Sequence, residues 1–512
     1  MDAEEKLKEI DAVKQRLSQG GGAKAIERQH QQGKLTAWER MEFLFDPGTF
    51  HETDLIAKPF KTGFDIDNRE LPRDALVTGY GDINGRRAYA SCYDFTVAGG
   101  SQGSMQMMKL VKVMEQARNE GVPYVSMIDS AGRRIQDRFS SFGYRMPIRI
   151  DGCGEANIDM YAPPMASGVI PQISLMLGPC YAGTAYCPQM ADFLIFRKDV
   201  SFMSVASPAL LKSATFREVT QDEIGGAELH ATTTGSAELL VESDEEAINK
   251  CRELLSYLPA NWKEKPPQID AKDDPSRKEA ELLKIVPIEE DKPFDMHRLI
   301  SLTVDGGELF EIAPLFARNM ITGFARLDGK AVGIVANNPL VADGSLDADA
   351  CDKAAHFIRT CDCYNVPLLI LADTPGFLPS AEQEQSREGL ERHAAKPVFA
   401  MHEASVPKIV VYIRRCYGAA RLVMGSRNSD IDSVFAWPTA RLYPAEIQEL
   451  PKNKAKQIAE QFPEPYTSAG ILALEDVIDP RETRPLIINR FKGLVNKQGP
   501  ERPHRKHGLI SF

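Results

Sequence analysis

No run of about 18 apolar residues occurs in the 512-residue chain, so the sequence offers no membrane-spanning helix. Basic charge is also in short supply. Lys and Arg number 61 against 72 Asp and Glu, a net charge of −11, which speaks against nucleic acid or an anionic membrane as partner. The nine cysteines contain no Cys-x-x-Cys. The nearest pair, Cys361 and Cys363, would diverge by about 200° on a helix. Reduced thiols, a cytoplasmic location and no metal on the chain are expected. There is no His-Glu-x-x-His, and His393 and His402 stand alone, so the histidines read as structural. The start, Met1-Asp2-Ala3-Glu4-Glu5, is acidic and lacks the apolar stretch of a signal peptide. What remains is ordinary: 43 % apolar and 26 % charged residues, the composition of a globular protein with two large or about three or four average domains.

Leu7, Ile10, Val13 and Leu17 recur at helical spacing and predict an amphipathic helix over 4–19, stopped by Gly20-Gly21-Gly22. That glycine run lacks the Lys-Ser/Thr ending and the preceding strand of a phosphate loop. Prolines 266, 267, 275, 287 and 293 alternate with charges, and this predicts a linker over 264–293 between an N-terminal domain, 1–263, and a C-terminal domain, 294–512. The two halves repeat. Residues 77–132 align with 321–376 without a gap and share 12 of 56 positions, where chance gives roughly 3 or 4. Among the pairs are Gly85/Gly329, Gly100/Gly344, Ser101/Ser345, Asp129/Asp373 and Gly132/Gly376. A second block pairs Pro171/Pro407, Ile173/Ile409, Cys180/Cys416 and Tyr181/Tyr417. Each copy reads as a glycine-turn hairpin, a helix (104–119 or 348–364), a Pro-led buried strand ending at Asp129 or Asp373, and a third strand (173–177 or 409–413). Such alternation implies an α/β fold with mostly parallel pairing.

Each third strand runs into small residues, Ala182-Gly183 and Ala419-Ala420. A strand-to-helix junction of that kind exposes backbone N–H groups that bind anions or steady an oxyanion; close helix–strand packing is the plainer reading. Gly99-Gly100-Ser101-Gln102-Gly103 matches a nucleophile elbow, but the second copy reads Asp343-Gly344-Ser345-Leu346-Asp347, and both serines fit a helix N-cap better. Five arginines, 133, 134, 138, 145 and 149, follow the strand end at Asp129. They form either a solvated basic face or a site for a phosphate or carboxylate.

These residues make the chain resemble the carboxyltransferase (beta) subunits of biotin-dependent acyl-CoA carboxylases, with their decarboxylase and transcarboxylase relatives. The resemblance runs from about residue 20 onward and is carried by Gly33-Lys34-Leu35-Thr36-Ala37-Trp38-Glu39-Arg40, Asp46-Pro47-Gly48-Thr49-Phe50, Asp94-Phe95-Thr96-Val97, Ala166-Ser167-Gly168-Val169-Ile170-Pro171-Gln172-Ile173, Pro375-Gly376-Phe377-Leu378-Pro379, Ala436-Trp437-Pro438-Thr439-Ala440 and Lys506-His507-Gly508. It implies two tandem crotonase-like α/β domains (β-β-α superhelix) in a homo-oligomer, a hexamer arranged as a trimer of dimers. The N-domain of one subunit would take acyl-CoA and the C-domain of its neighbour the biotin. Ala182, Gly183, Ala419 and Ala420 would supply two backbone oxyanion holes. Ala131, Gly132, Arg133, Arg134, Gly100 and Leu422 would lie on the substrate side, and Pro375, Gly376, Phe377, Gly418 and Arg421 on the biotin side. No Ala-Met-Lys-Met biotin acceptor and no ATP-binding region are present, so a biotin carboxylase or biotin carboxyl carrier partner would supply the carboxyl group.

The departures from the family cluster at this implied site. Ser-Gly-Gly-Ala-Arg becomes Ser130-Ala131-Gly132-Arg133-Arg134. The segment with Gly152-Cys153-Gly154 and Pro163-Pro164 is longer. Tyr-Gly-Gly-Ala-Tyr-Asp becomes Tyr417-Gly418-Ala419-Ala420-Arg421-Leu422, and Tyr443-Pro444-Ala445-Glu446 replaces a glycine-rich helix start. Three functions are consistent with this: a carboxyltransferase subunit with an altered acyl preference, an acyl-CoA decarboxylase of the same fold, with or without biotin, or an inactive scaffold subunit of a mixed ring.

Overall fold

The computed structural model describes residues 2–139, 160–271, 273–378, 380–385 and 389–499. The chain divides into two compact units, Met1–Trp262 and Lys263–Phe512. The helix expected over 4–19 spans Ala3–Ser18. Asp2 caps it and closes a capping box with Glu5, which satisfies two of the free N–H donors of its first turn.

Unit 1 is built on strands β1 (His51–Thr53), β2 (Leu76–Ile83), β3 (Arg86–Tyr93), β4 (Tyr124–Ile128), β5 (Gln172–Met176), β6 (Pro179–Tyr181), β7 (Phe193–Arg197), β8 (Phe202–Ser204) and β9 (Leu239–Val241). Seven of them form one sheet in the order β1-β2-β3-β4-β5-β7-β9, while β6 and β8 pair separately. The first two pairings are antiparallel and the rest parallel. Unit 2 repeats the plan with β10 (Phe310–Ile312), β11 (Met320–Leu327), β12 (Lys330–Asn337), β13 (Leu368–Thr374), β14 (Lys408–Cys416), β15 (Ser433–Ala436) and β16 (Asp476–Val477), in simple sequence order. Here too the first two pairings are antiparallel and the others parallel.

Parallel strands covered on both faces read as unbroken apolar runs. Leu368-Leu369-Ile370-Leu371-Ala372 is such a run, and every residue of β13 is buried. The expected helices are Ser104–Glu120 and Ala348–Cys363. Gly121 ends the first in the left-handed conformation (φ 69°) that a side chain would oppose. Cys361 is buried and Cys363 exposed, the divergence expected of two positions on one helix. The segment 264–293, read above as a linker, is packed onto unit 2. Leu282 and Val286 are buried in its core, and Ile269 N–H donates to Gly329 O at 3.0 Å.

One repeated device ties each long helix to its hairpin. Lys109 Nζ donates to the carbonyls of Arg73 (3.1 Å) and Leu76. Lys353 Nζ donates to Ala313 (2.7 Å), Phe316 (2.8 Å) and Met320 (2.7 Å). Both ammonium groups are buried. Their identity at a spacing of 244 was the sequence signal for this shared role.

Candidate functional site

In unit 1 the chain leaves β5, passes Gly178 and enters a short 3-10 turn, Ala182–Ala185, through Ala182 at φ 54°. A first-turn N–H has no intrahelical acceptor, and none of the described residues accepts from Gly183 N–H. Arg133 stands over this turn. A Cβ built on Gly183 would lie 2.5 Å from Arg133 Nε. Arg133 is held in place by a bridge to Gln102, and its Nη1 lies 2.6 Å from Met107 Sδ.

Unit 2 has the same junction. Gly418 takes the positive φ (53°) that Ala182 takes in unit 1, and Ala419 follows in the place of Gly183. Gly418 N–H donates to Tyr443 O (3.1 Å) and Ala420 N–H to Tyr417 O (3.2 Å). No described residue accepts from Ala419 N–H. The pairing of Ala182-Gly183 with Ala419-Ala420 drawn from the sequence is thus one residue out of step, because Ala420 N–H is spent inside its turn. The residue matching Arg133 is Phe377, held by the equivalent bridge to Leu346. It shares a cavity of 790 Å³ with Ala419, Leu422, Leu390, Val398 and Phe399. A second cleft, of 470 Å³, opens on the other side of Ala419 and Leu422 and takes in Gly418 and Arg421.

Behind each junction a fully buried carboxylate ends the central strand. Asp129 accepts from Lys34 (2.5 Å) and Arg40 (3.1 Å). Asp373 accepts from Arg414 (2.8 Å) and Arg415 (3.1 Å). The cations come from different elements, so only the acid is common to both copies. Burial pushes the Cys180 thiol up to about 12 and the Cys416 thiol higher still. Burial also raises Tyr181 and, with Glu290 as acceptor, Tyr417. None of these four groups supplies a base or nucleophile near neutral pH.

The other sequence candidates fall into place as follows. Gly100 is a close-approach residue, since a Cβ there would stand 2.2 Å from Asp129 O. Gly132 N–H donates to Ser130 Oγ (3.1 Å) and Gly376 N–H to Thr374 Oγ1 (3.2 Å). Ala131 is exposed, its N–H donating to Gly99 O, and Pro375 O accepts from Gln448. Arg134 is no anion site. It is buried and paired with Asp74 at 2.6 Å, which turns it into an anchor for the start of the helix Ser104–Glu120. Ser101 and Ser345 cap neither long helix. The caps are Gly103 and Asp347, because each serine is already used to close the short 3-10 turn before it. Arg145, Arg149, Gly152-Cys153-Gly154, Pro379 and Lys506-His507-Gly508 lie outside the described residues, as does the side chain of Arg138. Sequence reasoning missed Val398, Phe399 and Arg427 as cleft residues. An apolar or charged residue on a helix or loop carries no mark of the wall it will line.

The described residues contain no cluster of three or more metal-ligating side chains and no helix long and apolar enough to cross a membrane. Residues 28–446 match the family model "Carboxyl transferase domain". The chain is 41 % identical, over 99 % of both lengths, to the methylmalonyl-CoA decarboxylase alpha subunit of Veillonella parvula. It is 39 % identical, over the whole of both, to the carboxyltransferase subunit of propionyl-CoA carboxylase of Haloferax mediterranei. Among solved structures it superposes on transcarboxylase 12S, a hexamer crystallised with hydrolysed methylmalonyl-coenzyme A. The TM-score is 0.94 at 38 % identity, covering 100 % of this chain and 99 % of the other.

Proposed function

The chain belongs to the carboxyl transferase domain family, each unit having the crotonase-like fold, and from that membership we propose that it is the carboxyltransferase subunit of a biotin-dependent enzyme acting on a short-chain acyl-CoA. The reading includes a cytoplasmic homohexamer that works with a biotin carboxylase or biotin carboxyl carrier partner. The observation that carries it is that, at equivalent junctions of the two units, the N–H groups of Gly183 and Ala419 have no acceptor among the described residues.

Carboxybiotin on the partner would supply the carboxyl group and, through its ureido nitrogen, the base for the α-proton. The chain itself then has two tasks. Gly183 N–H receives the thioester oxygen as negative charge develops on it, and Ala419 N–H receives the ureido oxygen. Two fixed dipoles aimed at developing charge lower the barrier without moving during the reaction, and losing one such donor costs on the order of 10²–10³ in rate. The apolar cavity beside Ala419 accommodates a compact uncharged bicycle. The protonated thiols and phenols around both junctions suit a site in which the protein supplies no base.

The test is mass-spectrometric. The purified protein is incubated with a panel of carboxylated acyl-CoAs, with and without free biotin, and loss of the carboxyl group is followed. Biotin-dependent loss is expected. Loss at the same rate without biotin would replace this reading with a biotin-independent decarboxylase, and binding without turnover would favour the scaffold subunit.

A further inference from the structure

Arg421 and Arg427 line one cleft of 470 Å³ in unit 2, together with Ser426, Asn428 and the Gly418-Ala419 turn. No acidic residue lines it. Among the described residues neither arginine forms an ion pair, although the chain as a whole is strongly acidic. Most other arginines near the strand ends are spent on carboxylates, as Arg134 is on Asp74 and Arg415 on Asp343. Arg421 is half-buried and Arg427 exposed. For Arg421, a guanidinium partly withdrawn from solvent and without a counter-charge is costly unless a ligand provides one, while the exposed Arg427 is free to turn toward the same ligand.

We propose that this cleft is an anion-binding site in which Arg421 and Arg427 together hold a carboxylate or phosphate group beside the Ala419 turn. Charge and shape both favour that chemistry. Two planar donor forks suit an oxyanion with two or three acceptor oxygens. Ser426, on the same wall, adds a hydroxyl donor whose present contact with Ser429 is a long one (3.4 Å). Of the carboxylates close by in the chain, Glu464 accepts from Ser468 Oγ at 2.9 Å and Asp430 lies 3.6 Å from Lys408 Nζ. Tyr412, at the cleft floor, donates to Gly425 O (2.7 Å). Burial raises its phenol and the Arg421 charge draws it partly back, which agrees with a guanidinium held close to that ring. The rim is apolar, with Ile471 and Leu472 about three-quarters exposed at 74 % and 75 %. A ligand with an anionic end and a short aliphatic arm therefore matches the cleft better than a bare ion. The inference extends the proposed function, since carboxyl transfer as described needs the Ala419 N–H but neither arginine.

The anion can come from a second carboxylate on the acyl group or from a free anion in solution, and one experiment separates these sources. Binding of butyryl-CoA, glutaryl-CoA and inorganic phosphate is measured calorimetrically on the full chain. The variants are Arg427→Gln, Arg421→Gln and the charge-retaining Arg421→Lys, each checked for an unchanged melting temperature. The expected result is an affinity at least about tenfold lower for an anionic probe in the Gln variants, partly recovered in Arg421→Lys. If the loss falls on glutaryl-CoA and spares butyryl-CoA, the source is the substrate. If it falls on phosphate alone, it is a free anion. Wild-type protein that binds butyryl-CoA and glutaryl-CoA equally and phosphate not at all would overturn the proposal. So would Gln variants that bind every probe as the wild type does. None of these readings uses biotin, so failure here is distinct from failure of the carboxyltransferase reading.

Discussion

Arg133 covers Gly183: a Cβ built on that glycine would stand 2.5 Å from Arg133 Nε. The relationship is specific to unit 1, because the matching position in unit 2 is Phe377, opposite Ala419. One junction thus carries a cation beside its free N–H and the other an aromatic ring.

The contact predicts strong coupling between the two residues. Gly183→Ala keeps the N–H but forces Arg133 aside or the turn out of shape, and kcat/KM for acyl-CoA should fall by about 10-fold as the donor is misaimed, short of the roughly 10²-fold of a donor lost outright. Arg133→Ala in the same chain makes room for the methyl group. The double variant should recover much of the loss, giving a coupling energy of about 1–2 kcal/mol in a steady-state double-mutant cycle. Additive effects would show that the two residues do not share the site.

Ala182 sits at φ 54°, where a Cβ costs about 1 kcal/mol and glycine nothing. Ala182→Gly should therefore raise the melting temperature, the relieved strain outweighing the entropy that glycine adds to the unfolded chain. Calorimetry of the pair measures this directly. A lowered melting temperature would mean that the Ala182 methyl makes contacts worth more than the strain.

Lys353 satisfies three carbonyls, those of Ala313 and Met320 buried and that of Phe316 partly so. Lys353→Met keeps the aliphatic stem but strands those acceptors, and the loss should be about 2–4 kcal/mol in denaturant unfolding. Lys109→Met strands two and should cost less. Because the lysines lie in separate units, a two-step unfolding curve should shift in a different step for each variant.

His297 Nε2 lies 3.0 Å from Glu311, and that hydrogen bond raises the imidazole above its usual value of 6.5, with burial acting in the opposite direction. A histidine raised on folding stabilises fully below its unfolded pKa and progressively less as pH climbs through the folded one. Unit 2 should thus lose a little stability as pH rises from 6 through the folded value. His297→Gln should flatten that slope. The measurement is the difference in melting temperature between wild type and variant across pH 6–8, which should shrink toward the alkaline end.

Much of the fold was legible in the chain. The offset of 244 residues announced two copies, and the Pro-led apolar runs announced parallel strands buried on both faces. The repeated pattern placed the helices Ser104–Glu120 and Ala348–Cys363 to within a residue. These features are local or repetitive, and a chain pattern carries them without reference to what packs against it. The two junctions of small residues were also visible, whereas Phe377 and Arg421 came only through the resemblance to the family.

Tertiary structure decided what each of those residues is used for. Arg133 and Arg134 are neighbours of one type, yet Arg134 is consumed by Asp74 while Arg133 stands over Gly183. Ala419 and Ala420 are identical and adjacent, but only Ala419 keeps its N–H, because Tyr417 O takes the other. Residue type states what a group can donate. Which acceptor reaches it first depends on distances of a few tenths of an ångström between segments far apart in the chain, and sequence spacing does not encode those.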